Sequence, residues 1–367
     1  MQGCTLQDIA MASPAFQTAK EAAPISLTPK YILPEHERPH LTQVSSSSSI
    51  PLIDLQDYLD GRDHDHVVHA VSRACEEYGF FQIINHGVPE ELCNSLMDSA
   101  AAFFQLPPTI RAQLLNSPVE EGWVFGAYQK VAGLDDQFSM WGESFAHLCD
   151  LSGDSKLSQI FHKHAPKYRE AIGEYARQMD VLIKCLLGLM SLGLGLEKEC
   201  LESKIGENYV LRATTNYYPP CPDPELSMGL HAHTDPGALT VLRQSEHVAG
   251  LQVLKDEKWV WVEPLPNAFV VNVGDQIQVL SNGKYKSVRH RAVTNKESAR
   301  VSLPMFYIPN IERVIEPIQE LINAENPPLY RKYKSSEYSA ELQKQMGTRW
   351  RVMETFELQP NKDKLSH

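Results

Sequence analysis

The segment Gly229-Leu230-His231-Ala232-His233-Thr234-Asp235-Pro236-Gly237 sets an imidazole and a carboxylate two residues apart, at His233 and Asp235. Side chains two apart in an extended chain project to the same side, so both groups can reach one metal ion. A second imidazole, His290, follows within Tyr285-Lys286-Ser287-Val288-Arg289-His290-Arg291, which reads as a strand entered from an Asn282-Gly283 turn. Two imidazoles and one carboxylate on one side of a metal leave the opposite positions open. That donor set suits ferrous iron, with room for a co-substrate and O2. His-x-Asp alone is a weak signal, and a surface turn is its bland alternative. Beyond His290, Arg300 and Ser302 again share a strand face. A planar guanidinium able to form two parallel hydrogen bonds, with a hydroxyl beside it, makes a suitable stop for a dicarboxylate such as 2-oxoglutarate.

These groups must be carried by a scaffold, and the texture of the chain changes where they begin. Residues 1–49 end in the run Ser45 to Ser49 and offer little apolar surface to offset ordering, so most of this segment is expected to be mobile. Residues 50–205 read as a helix-rich N-terminal region. Ile50 to Leu55 and Gly79 to Asn85 are strand-like, whereas Val67, Val68, Val71, Ala74, Cys75 and Tyr78 recur at helical spacing, with Asp63 or Asp65 to start the helix and Gly79 to stop it. Leu92, Leu96, Ala100, Phe103 and Phe104 mark a second helix ending before Pro107-Pro108, and a long helical pattern runs from about Lys167 to Leu192. From Tyr209 short Val/Ile/Thr/Leu runs alternate with Pro, Gly and Asn, as at Leu239 to Leu242, Trp259 to Val262, Phe269 to Val273 and Val301 to Leu303. Such spacing predicts a sandwich or barrel, of which the double-sheet jelly roll is one case, over residues 206–310. Residues 311–367 form a C-terminal helical segment, with Ser339 to Met346 as its clearest helix.

Composition narrows the partners. Thirty-four Lys and Arg against 46 Asp and Glu give a net charge of −12 with no basic run, which argues against nucleic acid. No apolar stretch reaches the roughly 20 residues of a membrane span; the most apolar segment, Val181 to Leu196, contains Lys184 and three glycines. Seven scattered cysteines, never spaced as CxxC, fit a reducing compartment, and Met1 to Thr28 lacks the pattern of a secretory signal, so a cytoplasmic protein is expected. A monomer acting on a small molecule is a separate expectation.

Several blocks then combine: Pro51-Leu52-Ile53-Asp54-Leu55, Gly79-Phe80-Phe81-Gln82-Ile83-Ile84-Asn85-His86-Gly87, Asn216-Tyr217-Tyr218-Pro219-Pro220-Cys221, His233-Thr234-Asp235-Pro236-Gly237, Asn272-Val273-Gly274-Asp275-Gln276, Leu280-Ser281-Asn282-Gly283 and His290-Arg291-Ala292-Val293. Together they resemble the plant-type 2-oxoglutarate- and iron(II)-dependent dioxygenases over roughly residues 50 to 308. The resemblance implies a mixed α and β fold with a double-stranded β-helix (jelly-roll) core flanked by helices. It also implies Fe(II), 2-oxoglutarate and O2 as the reacting set, ascorbate as reductant, and Tyr218 and Asn216 as further contacts of 2-oxoglutarate. The implied reaction is hydroxylation or desaturation of a small plant metabolite, with 2-oxoglutarate converted to succinate and CO2. A flavonoid or related phenolic is the favoured substrate and a gibberellin-type acid or other hormone the alternative. A metal-binding small-molecule sensor on the same fold is the non-enzyme reading. Selectivity is expected to lie in Trp123 to Leu148 and in the C-terminal helix.

Other residues have blander readings. The family pattern puts the ligand two before the aspartate, so His233 is the ligand, and His231 either lines the substrate pocket or is a solvated or supporting imidazole. Phe306 points the same way as Arg300 by alternation and either touches substrate or fills the core. Asp63-His64-Asp65-His66 looks metal-like but precedes an apolar helix, where a solvated cap is the economical reading. His86 and Asp275 are expected to be structural, and the cysteines to be packing residues.

Overall fold

The computed structural model describes residues 27–44, 50–62, 64–107, 111, 123–126, 138–149, 151, 165–345 and 352–358. Strand β1 (Leu52–Asp54) and a short helix α1 (Gln56–Leu59) lead into α2 (His64–Glu77), whose buried Val67, Val71, Ala74 and Cys75 follow helical spacing. The helix stops at Gly79, where φ is +64° and a Cβ would lie 2.2 Å from the Lys286 carbonyl oxygen, so only glycine fits. Strand β2 (Phe80–Ile84) follows, then α3 (Glu90–Phe104), β3 (Trp123–Gly126) and β4 (Glu143–Leu148). The long α4 (Pro166–Gly193) starts on a proline whose missing N–H costs nothing in the first turn, and the short α5 (Cys200–Ile205) succeeds it.

Ten further strands complete the body: β5 (Val210–Tyr218), β6 (Leu230–His233), β7 (Leu239–Gln244), β8 (Leu251–Lys255), β9 (Lys258–Trp261), β10 (Phe269–Val273), β11 (His290–Ala292), β12 (Arg300–Ile308), β13 (Val314–Ile315) and β14 (Tyr333–Lys334). Between them lie α6 (Asp275–Leu280) and, last, α7 (Ser335–Gln345). Eight strands form one sheet in the order β1-β2-β10-β7-β12-β5-β4-β3, and four form a second in the order β6-β11-β8-β9. Within the large sheet the one parallel pair is β1 with β2; the other pairs are antiparallel.

Alternation decides what each face does. On β5 and β12 the odd-numbered residues Leu211, Ala213, Tyr217, Val301, Leu303, Met305 and Tyr307 join the main core, packed with α2, α3 and α4. A second cluster of Ile50, Phe80, Leu242, Leu251, Val253, Val262 and Val270 joins the opposite face to the small sheet. This is the jelly-roll arrangement, and the even-numbered residues of β5 and β12 face its interior.

The structure departs from the sequence reading in several places. Residues 27–44 are not loose: three 3₁₀ turns lie against the body, Tyr31 and Leu33 are buried, and Arg291 donates to the Pro39 carbonyl at 2.6 Å. Buried aromatic and aliphatic surface compensates there for the ordering cost that composition suggested. Tyr285 to Arg289 is not a strand, because its backbone finds other partners: Lys286 N–H donates to the Cys75 carbonyl and Ser287 N–H to Gln278 Oε1. Asn282 and Gly283, both at positive φ, end α6 rather than open a hairpin. The segment after residue 310 contains the β13–β14 pair as well as helix. Residues 50–205 supply β1 to β4 to the large sheet, so the helical region and the β core share one sheet. Asp65 sits within α2 rather than capping it, and His64, Asp65 and His66 are exposed. Residues 1–26, Ser45 to Ser49, Asp63, Pro108, most of the Trp123 to Leu148 stretch before Phe138, and Met346 lie outside the described residues.

Candidate metal centre and co-substrate cradle

His233 ends β6, His290 opens β11, and the two are register partners across the small sheet. Their ring centroids lie 4.2 Å apart. Asp235 is not on the strand, as the spacing suggested, but on the loop just beyond it. That loop is held by the Asp275 N–H donating to the Asp235 carbonyl at 2.9 Å. Asp235 Oδ1 lies 3.6 Å from His233 Nε2 and 3.6 Å from His290 Nε2. The three are the one group of at least three His, Cys, Asp or Glu side chains with ligand atoms all within 4.8 Å of one another among the described residues.

Hydrogen bonds on the far side of each ligand orient it. His233 Nδ1 is 2.8 Å from the His231 carbonyl and His290 Nδ1 is 3.2 Å from the Val288 carbonyl; donating there leaves each Nε2 a lone pair aimed at the centre. Asp235 Oδ2 accepts from Thr240 Oγ1 at 2.6 Å and Asn272 Nδ2 at 2.7 Å, which frees Oδ1. Burial pushes the His233 imidazole down to about 3, so it is neutral. Burial alone would raise Asp235, but the His290 and His233 imidazoles and the two donors overcome it and hold the carboxyl below its ordinary range. A neutral His233 imidazole and an ionised Asp235 carboxylate are protonation states that bind a divalent cation, so the donor set fits ferrous iron.

Arg300 and Ser302 lie on the interior face of β12, opposite Tyr218 and Asn216 of β5 in register. All four are buried. Arg300 Nη2 donates to Gln244 Oε1 at 2.7 Å, its guanidinium lies 5.5 Å from the Tyr218 ring, and Asn216 Nδ2 donates to Ser302 Oγ at 3.4 Å. No carboxylate accompanies this buried cation among the described residues, and burial lowers the guanidinium from its ordinary value. A buried cation without an anion costs free energy, and the carboxylate of a dicarboxylic acid would supply the missing partner.

Residues 210–309 match the 2OG-Fe(II) oxygenase superfamily, and residues 50–167 match the non-haem dioxygenase in morphine synthesis N-terminal family. The chain is 40% identical over 319 residues to the protein DMR6-LIKE OXYGENASE 1 of Arabidopsis thaliana, covering 86% of this chain and 89% of that one. It belongs to the 2-oxoglutarate- and iron(II)-dependent oxygenases. Flavanone 3-dioxygenase 2 of Oryza sativa subsp. japonica is 40% identical to the oxygenase over 314 residues, covering 84% and 88% of the two chains. The crystal structure of JOX2 in complex with 2OG, Fe and JA superposes on it with a TM-score of 0.79 at 34% identity, covering 98% of each chain. Fe(II), 2-oxoglutarate and O2 are thus the oxygenase's reacting set. Among its described residues no helix is long and apolar enough to cross a membrane.

The remaining sequence candidates fall as follows. The His231 ring lies 5.8 Å from that of His233, outside the ligand group; burial lowers it to about 4. Phe306 is on the interior face of β12, with the Arg212 guanidinium 5.7 Å from its ring. His86 Nε2 pairs with the Asn267 carbonyl at 3.1 Å and its ring packs 4.2 Å from Phe269. Asp275 is buried, and burial pushes its carboxyl up to about 6; it accepts from Thr234 Oγ1 at 3.3 Å and from the Tyr338 hydroxyl, tying α7 to the loop behind the ligands. Sequence reasoning missed Thr240, Asn272, Gln244 and Arg212. Asn272 stood within a recognised block, but what it bonds to is visible only in the register of β10 with β7.

Proposed function

We propose that this oxygenase hydroxylates or desaturates a small plant metabolite, with His233, Asp235 and His290 as its iron ligands and with Arg300, Ser302, Tyr218 and Asn216 holding 2-oxoglutarate. The observation that carries the assignment is the convergence of two imidazole Nε2 atoms on one freed carboxylate oxygen, each at 3.6 Å. Bound iron and 2-oxoglutarate supply the oxidation, in which substrate, O2 and 2-oxoglutarate give hydroxylated product, succinate and CO2, or a desaturated product with water. The protein's own contribution is positional. Arg300, steadied by Gln244, and Ser302 fix the far carboxylate, while Thr240 and Asn272 fix Asp235.

A flavonoid or related phenolic is the first substrate class. It is supported by the likeness to a flavanone 3-dioxygenase and by Phe306 on the interior face. A gibberellin-type or other acid is the second reading, favoured by Arg212 on that same face. Six free thiols among the described residues support a reducing, cytoplasmic setting for a monomer of this kind.

The test is turnover. Purified protein with Fe(II), ascorbate and 2-oxoglutarate is incubated with flavanones, salicylate, jasmonate and gibberellin precursors, and products are followed by mass spectrometry. The expected result is gain of one oxygen or loss of two hydrogens in at least one compound, with succinate formed in step. No succinate with any of them would favour the sensor.

A further inference from the structure

We infer that the substrate is drawn from the acids of the second reading rather than from neutral flavonoids, and that Arg212 binds its carboxylate; this rests on the oxygenase reading above. The registers of β10, β7, β12, β5 and β4 align Asn272, Thr240, Phe306, Arg212 and Leu148 as one row across the large sheet. Asn272 and Thr240 are the donors to Asp235, so the row begins at the metal centre and Arg212 stands two strands away, about 10 Å along it. The 2-oxoglutarate cradle occupies a different row. Ser302 and Phe306 are four residues apart on β12, about 13 Å, which sets the Arg300 end of the interior well away from the row that Arg212 shares with Thr240 and Asn272. Between them the hydroxyl of Thr214 is buried without a hydrogen-bond partner.

Arg212 is a cation in want of an anion. Its Nε is buried without an acceptor, and no ion pair accompanies the side chain among the described residues. Burial lowers its guanidinium from the ordinary value, opposed only by the charge of Asp235. That charge is committed to the metal ligand set and will be offset when a divalent cation is held. The aromatic face of Phe306, 5.7 Å away, favours the cation but cannot satisfy its N–H groups. A carboxylate entering beside Phe306 would accept two parallel hydrogen bonds and end the imbalance. The rest of the substrate would then lie along Phe306 toward Thr240 and the ligands.

Matched pairs test this without turnover. Binding of salicylate, jasmonate and a gibberellin-type acid, each against its methyl ester, is measured by calorimetry on protein loaded with Mn(II) and 2-oxoglutarate, with a neutral flavanone alongside. At least one acid is expected to bind about tenfold or more tightly than its ester in the native protein, and that ratio is expected to fall to about one in Arg212→Gln. Acids that bind no better than their esters, or not at all, would overturn the proposal, as would an unchanged ratio in the variant. The native protein alone already decides if the variant fails to fold. Titration of 2-oxoglutarate itself separates the two layers: its binding with no acid preference sinks only the role of Arg212, whereas no 2-oxoglutarate binding sinks the oxygenase site.

Discussion

Replacing Thr240 by valine tests how the fold holds its metal. The two side chains have nearly the same shape, so the change leaves no cavity and removes one donor. That donor bonds Asp235 Oδ2 at 2.6 Å, with Asn272 Nδ2 on the same oxygen at 2.7 Å. A hydrogen bond to a charged group contributes about 1.5–3 kcal/mol. Asn272 remains, and the carboxylate keeps one anchor, so part of this is retained. Supports of this kind change metal affinity by about 10–100-fold, and we expect the lower end, about tenfold, in Thr240→Val. Adding Asn272→Leu should weaken the metal by more than the product of the single effects, because both donors act on one atom. Anaerobic titration with Mn(II), followed by calorimetry, reads the affinity directly. Affinity within about twofold of the native protein in the double variant would refute the claim that these bonds aim Oδ1 at the metal.

Two further outcomes follow from the same geometry. Arg300→Lys keeps the charge but loses the planar fork, so the KM for 2-oxoglutarate in succinate formation should rise about tenfold or more with a smaller change in kcat; an unchanged KM would contradict the cradle. His147 and His86 are buried, and burial lowers both to about 4 from the ordinary 6.5. Between those values the unfolded chain binds protons that the folded one does not, so stability is complete above pH about 6.5 and is lost toward pH about 4, at up to about 1.4 kcal/mol per pH unit for each group. Urea midpoints measured across this range should fall with pH, and His147→Gln should flatten the fall; an identical slope would show that His147 does not titrate as described.

The chemistry of the site was legible because its residues have few other uses. An imidazole and a carboxylate two apart, a distant second imidazole, and Arg300 with Ser302 at strand spacing name a metal and a dicarboxylate before any coordinates. What could not be read was everything that depends on register. Thr240 and Asn272 come from β7 and β10, and their common target appears only when those strands pair and the Asp235 loop folds over them. Arg212 looks like a surface arginine in a strand until alternation turns it inward with Thr214, Asn216 and Tyr218. Local pattern also misled where tertiary partners decide conformation. The Tyr285 to Arg289 stretch follows a turn-like Asn282-Gly283 pair as a strand would, yet the Tyr285 hydroxyl donates to the Met190 carbonyl at 2.9 Å and its neighbours bond to α2 and α6. Helix α6, with six residues, is too short for periodicity to reveal.

In the proposed assignment His233, Asp235 and His290 hold the iron, with His231 beside them but outside the set. Equilibrium titration of Fe(II) under anaerobic conditions into the native protein and four alanine variants tests it most directly. One equivalent should bind to the native protein and to His231→Ala, and none at comparable affinity to His233→Ala, Asp235→Ala or His290→Ala. Loss of the metal in His231→Ala equal to that in His233→Ala, or its retention in His290→Ala, would contradict the account.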